Sequence, residues 1–415
     1  MNGSSILIFF ISVATCRIPA KVLKKPHPGV GGMALAALRN QSEHRLEGIL
    51  EKAGLLQELT DREAAFLLGL QSRDDLDKLF RTARSLRERF FGNKIFLYGF
   101  IYLSTWCRNN CTFCYYRKSN SKSVRYRKTA EEVLDAAARL AASGVHLIDL
   151  TLGEDPYFHN RKEGFQPLIA LVHQVKKRTG LPVMISPGVV PGRILQDFAT
   201  AGADWYACYQ ETHNERLFAE LRLEQSYQQR LASKEEALRC GLLVEEGILT
   251  GIGDTESDIM LSLQGMRQLQ AQQVRVMSFV PQQGTPLADR ETPARIRELK
   301  IIAVMRILFP DRLIPASLDV DGVAGLRDRI NAGANVVTSI IPPLMGLAGV
   351  AQCRRDIDEG NRTVAGVLPF LEEMGLTAAT AEEYLSWVEK EKAKLIRLHG
   401  TCLSGSNPFS EISHQ

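Results

Sequence analysis

The chain has 415 residues, of which 45% are hydrophobic and 24% are charged. This composition is typical of a well-packed globular protein, and the length is enough for one large barrel or two ordinary domains. The net charge of +4 gives no support for nucleic-acid binding, which needs a concentrated basic face. Eight cysteines at scattered spacings do not resemble a secreted disulfide framework, and a cluster of three favours a metal site in a reducing compartment.

The first segment, residues 1–32, is predicted to lie outside the core. Residues 5–14 form an apolar run that is much shorter than the ~20 residues of a membrane helix. No Lys or Arg precedes this run, so the charged start of a signal peptide is missing. We interpret residues 1–32 as a non-core leader or a misassigned start, and we expect a cytoplasmic protein without a membrane partner.

Residues 33–93 are predicted to form a helical cover. Thr60 and Glu63 have the spacing of a capping box, in which each residue binds the backbone N–H of the other. Apolar residues then recur at helical spacing between Leu76 and Phe90, and Gly92 is expected to end that helix.

Residues 94–349 alternate eight apolar runs with helical segments, and a second capping box is expected at Thr129 and Glu132. The runs cover residues 95–103, 146–152, 182–186, 205–209, 243–250, 274–280, 312–318 and 335–341. This pattern predicts an α/β fold, a (β/α)8 barrel of the TIM type. An open doubly wound sheet usually has fewer strands and a glycine fingerprint after the first, and no such fingerprint is found. In the last segment, residues 350–415, two helical stretches (Arg362–Met374 and Thr380–Leu398) and a polar tail are expected.

Three cysteines follow the first predicted strand directly: Cys107, Cys111 and Cys114. Three thiolates within eight residues can bind three irons of a [4Fe–4S] cluster and leave the fourth iron open to another ligand. The alternative is a zinc site, which normally needs four protein ligands. No histidine lies close enough in sequence to complete one, so the cluster is favoured.

The cysteine motif resembles that of the radical S-adenosylmethionine (SAM) superfamily. In these enzymes the cluster delivers an electron to SAM, and the resulting 5′-deoxyadenosyl radical abstracts hydrogen from the substrate. Gly153-Glu154, at the end of the second strand, matches the motif that receives the SAM amino group. Glu211 and Arg230 resemble a SAM-holding pair of the biotin synthase and hydrogenase-maturase branch, and Arg222 is a competing candidate for the arginine.

A closer resemblance is to the methylornithine synthase family, and it runs from about residue 43 to 385. It is carried by stretches such as YLSTWCRNNCTFCYY (102–116), IDLTLGEDPY (148–157), EGILTGIG (246–253) and NAGANVVTS (331–339). The resemblance implies isomerisation of L-lysine to (3R)-3-methyl-D-ornithine through carbon-skeleton rearrangement. It also implies four substrate contacts, at Asp149, Arg275, Ser317 and Asp319.

The residues themselves agree with a charged site, because Asp149, Arg275 and Asp319 interrupt strands whose neighbours are apolar. An unpaired buried charge is costly, so these groups either bind a charged substrate or form an internal salt-bridge cluster. Glu245 and Glu246 are interpreted as loop or outward-facing groups, as is Asp321.

Two other classes of function stay open at this point. One is a different reaction of the same branch, such as hydrogenase-cofactor maturation or sulfur insertion by a biotin-synthase-like enzyme. The other is a non-catalytic metal-binding scaffold, which would have no need of the SAM motifs. The leading hypothesis also requires a low-potential electron donor such as flavodoxin or ferredoxin.

Overall fold

The computed structural model describes residues 43–343 and 361–399. The described residues from Leu46 onwards belong to one compact unit, and the leader predicted for residues 1–32 lies outside the described ranges. Three helices precede the sheet: α1 (residues 43–54), α2 (Asp61–Leu68) and α3 (Arg73–Phe91). The capping box of α2 is confirmed, since Thr60 Oγ1 accepts a hydrogen bond from the Glu63 amide and the Glu63 carboxylate accepts one from the Thr60 amide.

Eight strands form one parallel sheet in the order β6-β5-β4-β3-β2-β1-β8-β7. They are β1 (Lys94–Ser104), β2 (Leu147–Leu152), β3 (Val183–Ser186), β4 (Trp205–Ala207), β5 (Leu243–Thr250), β6 (Gln273–Ser278), β7 (Pro315–Ser317) and β8 (Val336–Ile340). A single bridge between Gln273 and Leu313 links β6 to the start of the β7 segment. The sheet is therefore a nearly closed barrel, which confirms the predicted fold class.

Helices follow the strands around the outside of the barrel. They are α4 (Ala130–Ser143), α5 (Pro156–His159), α6 (Gln166–Thr179), α7 (Gly192–Thr200), α8 (Glu215–Leu221), α9 (Tyr227–Arg239), α10 (Glu256–Leu269), α11 (Arg295–Leu308) and α12 (Leu326–Asn331). The capping box at Thr129 and Glu132 is confirmed at the start of α4. Among the described residues, no helix is both long and apolar enough to span a membrane.

The C-terminal segment contains α13 (Val364–Glu373), β9 (Thr377–Ala378) and α14 (Ala381–His399). The sequence did not predict β9, a two-residue strand that pairs with the start of β1. α14 packs its aromatic side chains on the barrel, with the Tyr384 hydroxyl 2.7 Å from that of Tyr98 and the Trp387 ring stacked against Trp205.

The strands have two different faces because side chains alternate along a strand. On β2 and β6, Ile148 and Val274 pack outward into the core beneath the helices. Their neighbours Asp149 and Arg275 instead face the barrel interior, where they line a cavity. The fold thus directs the charged side chains of these strands to one interior space.

Candidate active site

One cavity of about 250 Å³ lies at the carboxyl end of the strands. Its walls include ten residues of the predicted site: Cys107, Cys111, Cys114, Asp149, Gly153, Glu154, Glu211, Arg230, Arg275 and Asp319. Residues widely separated in the chain therefore meet in one space, because the ends of parallel strands gather at the same mouth of a barrel.

The three thiols lie on the loop that follows β1, and this loop is fixed to the end of β2. The Arg108 amide donates to the Glu154 carbonyl over 2.9 Å, and the Arg108 Nε donates to the Glu154 carboxylate over 2.9 Å. Gly153 lies directly against this loop. A Cβ at Gly153 would lie 2.9 Å from both the Cys107 Cβ and the Trp106 carbonyl oxygen, so only glycine fits there.

The arrangement of the thiols fits an iron–sulfur cluster. All three line the cavity wall, and burial raises the pKa of the Cys107 and Cys114 thiols. Bound iron would offset that burial cost, because the thiol proton is released on ligation and the iron cation then compensates the thiolate charge. Within residues 43–343 and 361–399, no three His, Cys, Asp or Glu side chains are arranged to hold a single metal ion. A [4Fe–4S] cluster does not need such a group, because each thiolate binds a different iron.

The Glu154 carboxylate is held ionised beside the thiols. Burial alone would raise its pKa, but Arg230, with its Nη1 3.8 Å from Glu154 Oε1, and Arg108 hold the pKa below its usual value. The Val189 amide also donates to Glu154 Oε1 over 3.2 Å. An ionised carboxylate at this position can accept the hydrogens of an ammonium group.

Glu211 and Arg230, the residues that resemble a SAM-holding pair, both line the cavity but form no ion pair with each other. Glu211 Oε1 accepts a hydrogen bond from Arg222 Nη2 over 2.6 Å, so Arg222 is its direct partner. Arg230 instead donates from Nε to the Tyr209 carbonyl over 2.7 Å and lies near Glu154. Glu211 adopts a left-handed backbone conformation, with φ of 68°. Its amide and carbonyl bond to Gly247 and Leu249 of β5, which hold this unusual conformation in place.

The inner end of the cavity is built around Arg275. Its Nε donates to Glu245 over 2.6 Å and its Nη1 donates to Thr338 Oγ1 over 3.2 Å. The Tyr209 hydroxyl also donates to Glu245, over 2.8 Å. Asp149 accepts a hydrogen bond from Thr151 over 2.8 Å, and it forms no ion pair with the described residues. Burial and the neighbouring Glu245 charge raise the pKa of Asp149 to about 7.

The interpretation of Glu245 as an outward or loop residue is wrong. Its side chain is fully buried inside the barrel and pairs with Arg275. Glu246 does face outward, but it lies on β5 and not in a loop, and it is fully buried against Lys234 of α9. Since β5 alternates, two adjacent glutamates must point to opposite faces, and this was the signal that could have placed Glu245 inside.

Asp319 has a partner that the sequence did not reveal. Its Oδ1 accepts a hydrogen bond from Arg362 Nη2 over 2.8 Å, and Arg362 precedes α13. Ser317 does not line the cavity. Its hydroxyl accepts a hydrogen bond from the Asp319 amide over 3.2 Å and lies 3.4 Å from the Ser339 hydroxyl. Ser317 therefore orients Asp319 in this structure. No pattern in the sequence pointed to Arg362.

Comparisons with known proteins agree with this site. Residues 101–264 match the model of the Radical SAM superfamily. The 3-methylornithine synthase of Methanosarcina barkeri is 46% identical over 286 residues, which are 69% of this chain and 81% of that protein. The [FeFe] hydrogenase maturase subunit HydE of Thermotoga maritima is 30% identical over 70% of this chain and 82% of its own length.

Solved structures show the same relationship. The crystal structure of methylornithine synthase (PylB) matches with a TM-score of 0.77 and 43% identity, covering 81% of this chain and 99% of that chain. The hydrogenase maturase HydG, at 21% identity and a TM-score of 0.70, shares the fold. Fold, thiols and relatives together define a radical SAM enzyme, with a [4Fe–4S] cluster and SAM as cofactors. Within that superfamily the chain belongs to the methylornithine synthase family.

Proposed function

We propose that this enzyme isomerises L-lysine to (3R)-3-methyl-D-ornithine. The observation that carries the proposal is the placement of Asp149, Arg275 and Asp319 in the same cavity as the three thiols. Lysine carries one carboxylate and two ammonium groups. The cavity offers one arginine and more than one carboxylate, which is the complementary set of charges.

We assign the lysine carboxylate to Arg275. The guanidinium uses Nε and Nη1 for Glu245 and Thr338, so the group is held in one orientation, and its Nη2 has no hydrogen bond to the described residues. Asp149 and the second oxygen of Asp319 are assigned to the ammonium groups. Asp319 Oδ1 is occupied by Arg362, which fixes the direction of the other oxygen.

We assign the SAM amino group to Glu154 and the SAM carboxylate to Arg230, with Gly153 giving the room for close approach and Glu211 holding the end of β4. Cys107, Cys111 and Cys114 would hold the cluster, which when bound supplies the electron that starts radical chemistry on SAM. The rearrangement breaks one carbon–carbon bond of lysine and forms another, so product and substrate contain the same atoms. The residues around the substrate hold it in one orientation, and the apolar walls exclude water from reactive carbon centres.

The proposal includes a low-potential electron donor such as flavodoxin or ferredoxin, because the cluster must be reduced before each start of the chemistry. It also includes a cytoplasmic location, where cluster cysteines stay reduced. The cysteines within the described residues form no disulfide.

The deciding experiment incubates the anaerobically reconstituted, reduced enzyme with SAM and carbon-13-labelled lysine, and identifies products by mass spectrometry and NMR. We expect a branched diamino acid with the mass of lysine. The Cys111→Ala variant is the control, and it should lose both the cluster and SAM cleavage. An enzyme with a full cluster that forms neither this product nor extra 5′-deoxyadenosine on addition of lysine would contradict the substrate assignment.

A further inference from the structure

The sulfur of Cys111 receives two side-chain donors from the loop between α8 and α9. Gln225 Nε2 lies 3.1 Å from Cys111 Sγ, and Arg222 Nη1 lies 3.6 Å from the same atom. Cys111 is 6% exposed and Arg222 is 7% exposed. The Arg222 contact is buried and the Gln225 contact is partly buried. Shielding from water makes a hydrogen bond electrostatically stronger.

The direction of the Gln225 amide follows from its other neighbours. Its Oε1 lies 3.4 Å from Arg222 Nη1 and 3.5 Å from Arg230 Nη1. A guanidinium has donors and no acceptor, so the carbonyl oxygen must face the two arginines. The –NH2 group must then face the sulfur of Cys111, where it donates.

The backbone holds Gln225 at this place. The preceding residue, Glu224, has φ of 63°, a conformation that non-glycine residues rarely adopt. The Gln225 amide bonds to the Arg222 carbonyl over 3.1 Å, and the Thr112 amide bonds to the Leu221 carbonyl over 2.8 Å. The second bond ties the last residue of α8, directly before the loop that carries Gln225, to the cysteine loop, so the donor and the sulfur are positioned together.

We propose that Gln225 raises the reduction potential of the cluster by donating a hydrogen bond to the Cys111 thiolate. The reduced cluster carries one more negative charge than the oxidised one, and an N–H directed at a ligating sulfur stabilises that added charge. Arg222 lies farther from the sulfur, at 3.6 Å, and is paired with Glu211 over 2.6 Å, whereas the Gln225 amide donates over 3.1 Å. Gln225 is a positioning and tuning residue, and the inference rests on the cluster without depending on which substrate is used.

The test is Gln225→Met, which keeps the length of the side chain and removes the donor. The potential is measured by EPR-monitored redox titration of the reconstituted full chain without SAM. We expect reduction of the cluster to become about tenfold less favourable, which corresponds to a midpoint about 59 mV lower for one electron. Iron content and the spectrum of the oxidised cluster should stay unchanged, which separates this effect from loss of the cluster.

Gln228→Met is the matched control, since Gln228 lies on α9 and its amide bonds to Glu215. An unchanged potential in Gln225→Met, equal to that of Gln228→Met, would overturn the proposal. If Gln225→Met does not retain its cluster, the unsubstituted protein decides. Pulsed EPR of its reduced cluster, with nitrogen-15 in glutamine side chains, should show coupling to a glutamine nitrogen, and absence of that coupling contradicts the hydrogen bond.

Discussion

Asp149 differs from the other charged groups of the cavity, because it forms no ion pair with the described residues and burial raises its pKa to about 7. The unfolded chain would have the ordinary pKa of 3.8. Between pH 3.8 and about pH 7, the folded protein keeps a proton on Asp149 that the unfolded chain has lost. The contribution of Asp149 therefore lowers the free energy of unfolding increasingly as pH rises through this range. Above pH 7 the ionised carboxylate lowers the free energy of unfolding, a cost that fits the substrate-binding role that we propose for Asp149.

Asp149→Asn should therefore stabilise the free protein above pH 7 and abolish lysine binding. We expect a gain in unfolding free energy of up to about 4 kcal/mol at pH 8 and none at pH 3, measured by urea unfolding. The Thr151 hydroxyl can still donate to the asparagine carbonyl, so the change removes little besides charge. Lysine affinity of the unsubstituted enzyme should fall as pH is lowered through 7, because an ammonium group needs the ionised carboxylate. A variant that is no more stable at pH 8 than at pH 3 relative to the parent would contradict this account.

Arg275→Lys should be nearly as harmful as Arg275→Ala. A lysine ammonium is a compact, rotating group without the planar fork, so it cannot reproduce the fixed directions in which the guanidinium faces Glu245, Thr338 and the substrate. Loss of one charge-assisted bond in a desolvated site is worth roughly 1.5–3 kcal/mol, so the KM for lysine should rise about tenfold to a hundredfold. Iron content and SAM affinity serve as internal controls and should not change. If the Arg275→Lys enzyme kept a near-normal KM for lysine, the substrate carboxylate would have to bind elsewhere.

Among single residues, the sequence predicted the site residues that place a charge inside an otherwise apolar strand. Asp149 and Arg275 stand out because a charge in a buried strand needs a reason. Arg362 was missed because its contact with Asp319 spans 43 positions and depends on how the C-terminal segment packs. The sequence left open whether Arg222 or Arg230 accompanies Glu211. Arg222 directly follows α8 and Arg230 lies in α9, only eight positions later, so side-chain geometry was needed to show that Arg222 contacts Glu211.

Among the elements, β5 and α9 are joined by a buried ion pair behind the cavity. Lys234 and Glu246 are both fully buried and in direct contact, and Lys234 also donates to the Gln210 side chain over 2.8 Å. Glu246 Oε1 accepts the Gln210 amide over 2.8 Å, and Gln210 directly precedes Glu211. The pair thus supports the turn that places Glu211 in its left-handed conformation.

Lys234→Met should destabilise the protein by about 3–5 kcal/mol, because it leaves Glu246 buried without a cation. The double variant Lys234→Met, Glu246→Gln should recover most of that loss, since the glutamine oxygen can still accept the Gln210 amide. Urea unfolding of both variants gives the comparison. Equal destabilisation of the single and double variants would show that the cost comes from packing and not from an unpaired charge.

The strand boundaries were predicted closely from the apolar runs. Seven of the eight barrel strands begin and end within two residues of the expected runs, and β7 is the exception. β4 ends at Ala207, two residues before the expected end, and Cys208 and Tyr209 after it line the cavity. β7 begins only at Pro315, three residues later than expected, and a proline has no backbone N–H to donate to a sheet ladder. β9 has only two residues, and a segment that short carries no periodic signal.

For the whole molecule, the seam between β6 and β7 is the weakest part of the barrel. β1 and β2 pair through six residues of each strand, whereas a single bridge at Gln273 and Leu313 closes the seam. Gln273 is fully buried there, and its side-chain amide has no hydrogen bond to the described residues. A buried polar group without a partner costs free energy, so the molecule should open first at this seam.

Hydrogen exchange measured by mass spectrometry should show this opening. Peptides covering residues 312–318 are expected to exchange at least about tenfold faster than peptides covering β2, because local opening needs less free energy where fewer backbone bonds break. Gln273→Leu, which has a similar volume and no amide, should slow exchange at residues 312–318 and raise the unfolding free energy by about 1–2 kcal/mol. Exchange in β2 is the control and should be unaffected by the substitution. Equal protection of the two regions in the unsubstituted protein would mean that contacts other than strand pairing hold β6 and β7 together. If Gln273→Leu were instead less stable than the unsubstituted protein, the Gln273 amide would have to be hydrogen-bonded to a buried water.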